Sequence, residues 1–216
     1  MSIPGSAAPF LLAQQPAEGA YLIERSLRFN SSDSAYEGKP VNSIRKMPPL
    51  NFFQERLEYN AETGEFTWLG DFNAKRVGRR AGTTIGSKGY RTITIKKRRY
   101  YEHRIAWYMM TGNDPTGLEI DHINGDKSDN RFSNLRMATC QQNKVNCGLS
   151  VNNTSGYKGV TKNRKAWIAS IMKDRQYVYI GSFETPEEAA KAYDAKAVEL
   201  FGDYALTNAQ LQEVAA

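Results

Sequence analysis

The sequence predicts an α+β protein assembled from two small units in tandem. Three observations carry this. Residues 118–145 run strand, polar loop, strand, helix. Residues 157–201 run three short alternating strands and then one well-punctuated helix. Between residues 71 and 108 lies a strongly basic, aromatic-bearing stretch suited to contacting phosphate.

Composition narrows the classes. A net charge of +6 and a pI near 9.2 favour an anionic partner, with nucleic acid first. No apolar run approaches the ~20 residues of a membrane-spanning helix. The run "APFLLAQQPA" is too short for a signal peptide and lacks a positive start. The two cysteines, Cys140 and Cys147, form no C-x-x-C pair. A disulfide scaffold or cysteine-based zinc site is therefore excluded, and a reducing compartment is expected.

Taken in order, residues 1–48 are weakly patterned and read as a disordered extension. "NFFQERLEYN" (51–60) predicts a short amphipathic helix, and "AETGEFTWLG" a turn feeding a strand. The basic region holds Lys75, Arg76, Arg79, Arg80, Lys88, Arg91, Lys96, Lys97, Arg98, Arg99 and Arg104 against only Asp71 and Glu102. Within it "YRTITIKKRRYY" alternates like a strand, and "EHRIAWYMM" predicts a helix with Ile105, Tyr108 and Met109 on one face. Arg91, Lys96, Lys97, Arg98 and Arg99 are the expected phosphate contacts. His103 is expected to position DNA or support the fold. The glycines of "GRRAGTTIGSKGY" lack the order of a phosphate-binding loop.

The polar stretch "EIDHINGDKSDNRFSNL" (119–135) follows strand-like "LEIDH" and precedes "LRMAT". In "TCQQN", Thr139 and Gln142 have capping-box spacing, so a helix starts there and carries Asn143. The Asp121 carboxylate and the Asn143 carbonyl oxygen suit a hard cation such as Mg²⁺. His122 would activate a water for attack on a phosphodiester. Asn134 is expected to hydrogen-bond across the loop and orient His122. A calcium loop is excluded: its third position from Asp121 would be Ile123, and its sixth from Asp126 would be Arg131.

The segment "EIDHINGDKSDNRFSNLRMATCQQNKVN" resembles the core motif of HNH endonucleases, the ββα-metal (His-Me finger) nucleases found among phage and intron-encoded homing enzymes. The order, the loop length and the Asp-His…Asn…Asn placement agree. The resemblance implies that Asp121 is the first metal ligand and His122 the general base. Asn134 is the middle motif residue, and Asn143 the second metal ligand. Asparagine stands at position 143 where other members carry histidine.

The C-terminal strands are read as "YKGVT", "AWIASIM" and "YVYIGSF", with "NRK" and "KDR" as turns. Thr185 caps the helix, Pro186 opens it, Glu188 completes the capping box and Gly202 ends it. Ala189, Ala190, Tyr193, Ala197 and Phe201 form its apolar stripe. Residues 153–208 resemble the plant Apetala-two/ethylene-response-factor (ERF) DNA-binding domain, with "YKGV", "YIGSF" and "EEAAKAYD" in order. The resemblance implies DNA contacts from Lys158, Arg164, Trp167 and Tyr179. Lys162 joins them as part of the basic strand region. Thr161, Ser170 and Met172 depart from the plant pattern, so its base preference does not transfer.

Together these readings predict a ββα-metal nuclease core followed by an ERF-like three-stranded antiparallel sheet packed on one helix. The expected boundaries are an extension over 1–48, a basic segment and nuclease domain over 49–147, a linker over 148–152, the ERF-like domain over 153–208 and a tail over 209–216. The expected function is Mg²⁺- or Mn²⁺-dependent cleavage of double-stranded DNA in the cytoplasm of a bacterial or phage-infected cell. No membrane and no small-molecule cofactor beyond the metal are implied. The alternative is a non-catalytic DNA-binding regulator with a degenerate HNH fold.

Overall fold

In the computed structural model, residues 46–69, 74–82, 84, 85 and 89–215 are described. The extension expected over 1–48 lies outside them up to residue 45. Met47, by contrast, packs against the first core cluster, and its N–H donates to Thr116 Oγ1 at 3.1 Å.

The chain opens with helix α1 (Leu50–Gln54) and strands β1 (Leu57–Tyr59), β2 (Phe66–Trp68) and β3 (Arg80–Ala81), which pair in that order. The helix expected through residue 60 thus stops at Gln54. Leu57–Tyr59 pair antiparallel with Phe66–Trp68, and this places Leu57 and Phe66 in the core. Asn60 turns the chain by accepting the N–H groups of Glu62 and Thr63 on its side-chain oxygen.

Strands β4 (Thr84–Ile85), β5 (Arg91–Ile95) and β6 (Arg98–Tyr101) form a second antiparallel sheet. The alternating run at 90–101 is therefore a hairpin rather than one strand. Lys96 (φ 48°) and Lys97 (φ 63°) form its two-residue left-handed turn. Helix α2 (Glu102–Thr111) follows without a break, burying Ile105, Ala106, Trp107 and Tyr108. Gly112 ends it at φ 71° and donates to Tyr108 O.

Strands β7 (Glu119–His122) and β8 (Leu135–Ala138) form a two-stranded ribbon, and helix α3 (Cys140–Val145) packs on it. The Thr139–Gln142 capping box is present in both directions, at 3.2 and 2.8 Å. One apolar cluster, including Phe53, Leu57, Phe66, Ile93, Ile105 and Ile120, joins α1, β1, β2, β5, α2 and β7.

Strands β9 (Val160–Asn163), β10 (Ala166–Lys173) and β11 (Gln176–Phe183) form a three-stranded antiparallel sheet covered by helix α4 (Pro186–Phe201). The first of these strands starts later than "YKGVT" predicts. Gly156 and Gly159 hold positive φ, and the Lys158 N–H is taken by Asn208 Oδ1. Ala169 pairs with Gly181 but Ser170 with Tyr179, so Ile180 is the extra residue of a bulge. The Thr185–Glu188 capping box forms as expected.

Residues 209–216, expected to be a tail, fall largely in helix α5 (Asn208–Ala215). Asp194 receives the Asn208 and Ala209 N–H groups at its start, and Thr207 and Gln210 cap it reciprocally. Residues 148–152 carry no helix or strand. Even so, Val145, at the end of α3, sits in the core cluster of the C-terminal sheet.

Candidate active site

Strand alternation sorts the residues of β7. Glu119 and Asp121 project to one side, Ile120 and His122 to the other. Helix α3 covers the first side. Asn143 Nδ2 donates to Glu119 Oε2 at 2.5 Å. Asn146, at the C-cap, donates from Nδ2 to both oxygens of Asp121, at 3.0 and 3.2 Å, and to His122 O at 2.8 Å. Asp121 also faces its cross-strand partner Arg136, whose Nε donates to Oδ2 at 2.9 Å. Asp121 is thus a buried, firmly oriented carboxylate. The sequence reading missed Asn146. Its signal was helical spacing, three residues beyond Asn143 on the same face.

His122 lies on the other side. Its Nε2 is 3.0 Å from Asn130 Oδ1, and Asn130 Nδ2 donates to Glu102 Oε2 at 2.9 Å. This corrects the expectation for Asn134, which does not hold the imidazole. Instead, Asn134 fastens the loop. Its Nδ2 donates to Asn124 Oδ1 and Asp129 O, and its Oδ1 accepts the Asn124 N–H. The physical reason is position. Asn134 ends a 3-10 turn beside the loop's entry, whereas Asn130 reaches back under the loop toward α2.

Most remaining polar groups of the loop satisfy one another. Asp126 accepts from Ser128, Asn124 donates to Asp129, and Arg131 pairs with Asp129. Arg131 holds the Asp129 carboxyl down at about 2.

Electrostatics suit a neutral imidazole at position 122. Burial pulls its pKa below the ordinary histidine value, opposed by the Asn130 hydrogen bond and by Asp121. His103 lies against it, ring centroids 5.0 Å apart, in a group with Tyr90 and Tyr101. Burial also holds His103 well below the usual range, with His122 and Arg104 adding to this. At 6% exposure His103 packs behind the site rather than facing a phosphate, contrary to the DNA-positioning expectation.

The donor chemistry fits a hard cation. Asp121 and Asn143 offer oxygen, with the Glu119 carboxylate on the same strand face. Among the described residues, no cluster of three or more His, Cys, Asp and Glu side chains gathers to hold a metal.

The expected DNA contacts divide. Lys96, Lys97 and Arg99 are exposed at and beside the β5–β6 turn. Arg98 is half-buried, its guanidinium over the Tyr100 ring and donating to Lys46 O. Arg91 is half-buried and donates to Ser128 O. In the C-terminal unit Lys162, Arg164 and Tyr179 are exposed, while Trp167 packs against the core with Lys162 Nζ above its ring.

Lys158 is buried, contrary to expectation. Its Nζ donates to Val145 O at 2.6 Å and to Leu206 O at 2.8 Å. The carbonyl at the end of α3 and the loop before α5 thus capture its ammonium. Burial lowers its pKa to about 8.

The HNH endonuclease family profile matches residues 100–145, which span α2, β7, the loop, β8 and α3. The uncharacterized HNH endonuclease L560 of Acanthamoeba polyphaga mimivirus is 34% identical over 125 residues, covering 57% of this chain. The chain spans 65% of the length of that relative. Protein 3.8 of Escherichia phage T7 is 30% identical over 120 residues, covering 55% of this chain and 96% of that protein. The ethylene-responsive transcription factor ERF017 of Arabidopsis thaliana is 39% identical over 64 residues, 28% of this chain and 35% of its own. Among solved structures, one describing DNA binding and cleavage by the HNH homing endonuclease I-HmuI aligns with a TM-score of 0.37 and 21% identity, over 77% of this chain and 87% of that one. The family profile falls on the ribbon and helix that hold Asp121, His122 and Asn143, so this chain carries an HNH endonuclease domain over residues 100–145.

Proposed function

We propose that the protein is a metal-dependent DNA endonuclease of the homing type, hydrolysing phosphodiester bonds at His122. The observation that carries this reading is the His122–Asp121 pair at the end of β7. A neutral imidazole is held from one side by Asn130, and a carboxylate is held from the other by Asn146 and Arg136. Asp121 and Asn143 would hold Mg²⁺ or Mn²⁺. Such an ion, when bound, supplies charge stabilisation at the leaving oxygen. His122 takes the proton from the attacking water, a contribution of about 10²–10⁴-fold. Asn134 keeps the loop closed.

The C-terminal sheet serves as the anchor on double-stranded DNA in this proposal. Its support is the likeness to ERF017 and the exposed Lys162, Arg164 and Tyr179. Lys96, Lys97 and Arg99 extend the phosphate-binding surface. The viral and phage relatives fit action in the cytoplasm of a bacterial or infected host cell.

Plasmid nicking in Mg²⁺ and in EDTA, alongside gel-shift binding, tests the proposal. Wild type should nick only with the ion, and His122→Ala should bind DNA yet lose nicking by at least about 10²-fold. Equal nicking by that variant removes His122 as the base. Binding without cutting under any divalent ion would make the protein a regulator.

A further inference from the structure

We propose that Glu102 and Asn130 are positioning residues that hold the His122 imidazole in the tautomer protonated at Nε2, leaving Nδ1 as the atom that accepts the proton from water. The inference rests on the endonuclease reading and deepens it.

Hydrogen-bond direction along the Glu102–Asn130–His122 chain fixes the tautomer. Above a pH of about 7 Glu102 is a carboxylate, which only accepts, so its Oε2 requires the NH₂ of Asn130, and the two atoms are 2.9 Å apart. That turns Asn130 Oδ1 toward His122 Nε2 at 3.0 Å. An amide oxygen also only accepts, so Nε2 must carry the hydrogen. Water does not compete for these groups: Glu102, Asn130 and His122 are 0%, 1% and 3% exposed.

The chain of bonds is itself braced. Tyr59 Oη donates to Asn130 O at 2.7 Å, and Asn134 ties down the preceding Asp129 O. Glu102 is set by the abrupt passage from β6 into α2. It lies over Gly82, where a Cβ would collide with its Oε1.

The reacting step balances on this tautomer. As the water oxygen bonds to phosphorus and the bond to the leaving oxygen breaks, the water proton moves to Nδ1. His122 becomes an imidazolium with both nitrogens protonated. Its Nε2–H remains bonded to Asn130, and through it to the Glu102 carboxylate. The reversed amide would demand the opposite arrangement, a protonated Glu102 and an Nδ1–H imidazole.

Long-range proton–nitrogen NMR on the full chain labelled with ¹⁵N-histidine, at pH 8.5 without metal, reads which nitrogen of His122 is protonated. Wild type should show Nε2–H alone. Asn130→Ala should show mixed tautomers and lower kcat for nicking by about 10- to 100-fold with KM for DNA unchanged. The double variant Glu102→Gln/Asn130→Asp restores the same direction, Gln donating to Asp and Asp accepting from Nε2–H. It should recover the single tautomer and most of kcat. If Asn130→Ala does not fold, Glu102→Gln alone serves, because its amide can either donate or accept and should loosen the tautomer. A wild type that cuts DNA with Nδ1–H at His122 overturns this inference alone. A single variant that folds, loses the Asn130 or Glu102 group and keeps both tautomer and kcat also overturns it. A wild type that never cuts overturns the endonuclease reading and this role with it.

Discussion

Arg136 and Asp121 face each other across the β7–β8 ribbon, with Nε 2.9 Å from Oδ2 and side chains only 13% and 5% exposed. The same guanidinium donates from Nη1 to Asp203 O at 2.7 Å and lies 4.2 Å from the centre of the Tyr204 ring. One side chain therefore touches both the candidate metal-ligand carboxylate and the turn that follows α4.

Arg136→Met leaves the Asp121 carboxylate buried with Asn146 as its remaining donor. Breaking such a pair should cost about 3 kcal/mol. Urea melts with and without Mg²⁺ check it. An ion held by Asp121, as proposed, would replace the lost countercharge, so Mg²⁺ should restore more stability to the variant than it adds to wild type. Equal shifts in both proteins would disconnect Asp121 from the ion.

Glu102 gives stability a pH dependence. Burial raises its pKa from 4.5 to about 7, against the Asn130 hydrogen bond and the charges of Arg91 and Arg80. A raised folded value means that the folded state holds the proton more tightly than the unfolded one. The contribution is full below about 4.5 and is lost as pH rises through about 7. Urea midpoints measured across that window should fall with rising pH in wild type, and fall less in Glu102→Gln. Parallel profiles would count against the assignment.

Lys158 and Arg164 should behave oppositely. Lys158→Met removes the donor to two main-chain oxygens and should cost about 2–3 kcal/mol, with the salt dependence of DNA binding unchanged. Arg164→Ala, at an exposed turn, should leave stability within about 0.5 kcal/mol. It should also lower the slope of log affinity against log salt by about 1. Denaturation and salt-titrated binding separate the two, and a salt-slope change for Lys158→Met would return it to the DNA surface.

Gly82→Ala should be among the costliest small substitutions in the nuclease half. Gly82 has φ +78°, and the added Cβ would strike Glu102 Oε1 and come within 2.8 Å of Ile93 Cγ1. Strain and overpacking together should cost about 3 kcal/mol. A variant melting like wild type would show that Glu102 can vacate that space.

Local chemistry was legible. The capping boxes at Thr139 and Thr185, the strands around Asp121 and Leu135, and the apolar stripe of α4 all appear where spacing places them. Each depends on residues within four positions of one another. The hairpin at 91–101 was harder to see, because its Lys96–Lys97 turn lacks the usual Asn-Gly signal. Helix α5 was missed although Thr207 and Gln210 have capping-box spacing, since no strong apolar stripe follows them.

For the candidate site, sequence by itself set the order in which Asp121, His122, Asn134 and Asn143 fall on a ribbon, a loop and a capped helix, because these are local structures. Only the tertiary structure decided which side chains hold them. Asn130 reaches Glu102 across 28 residues, Arg136 reaches Asp203 across 67, and Lys158 turns inward to Leu206 across 48. A buried charge or amide must find its partner wherever packing brings one within about 3 Å. That proximity is a property of the folded chain, not of its spacing.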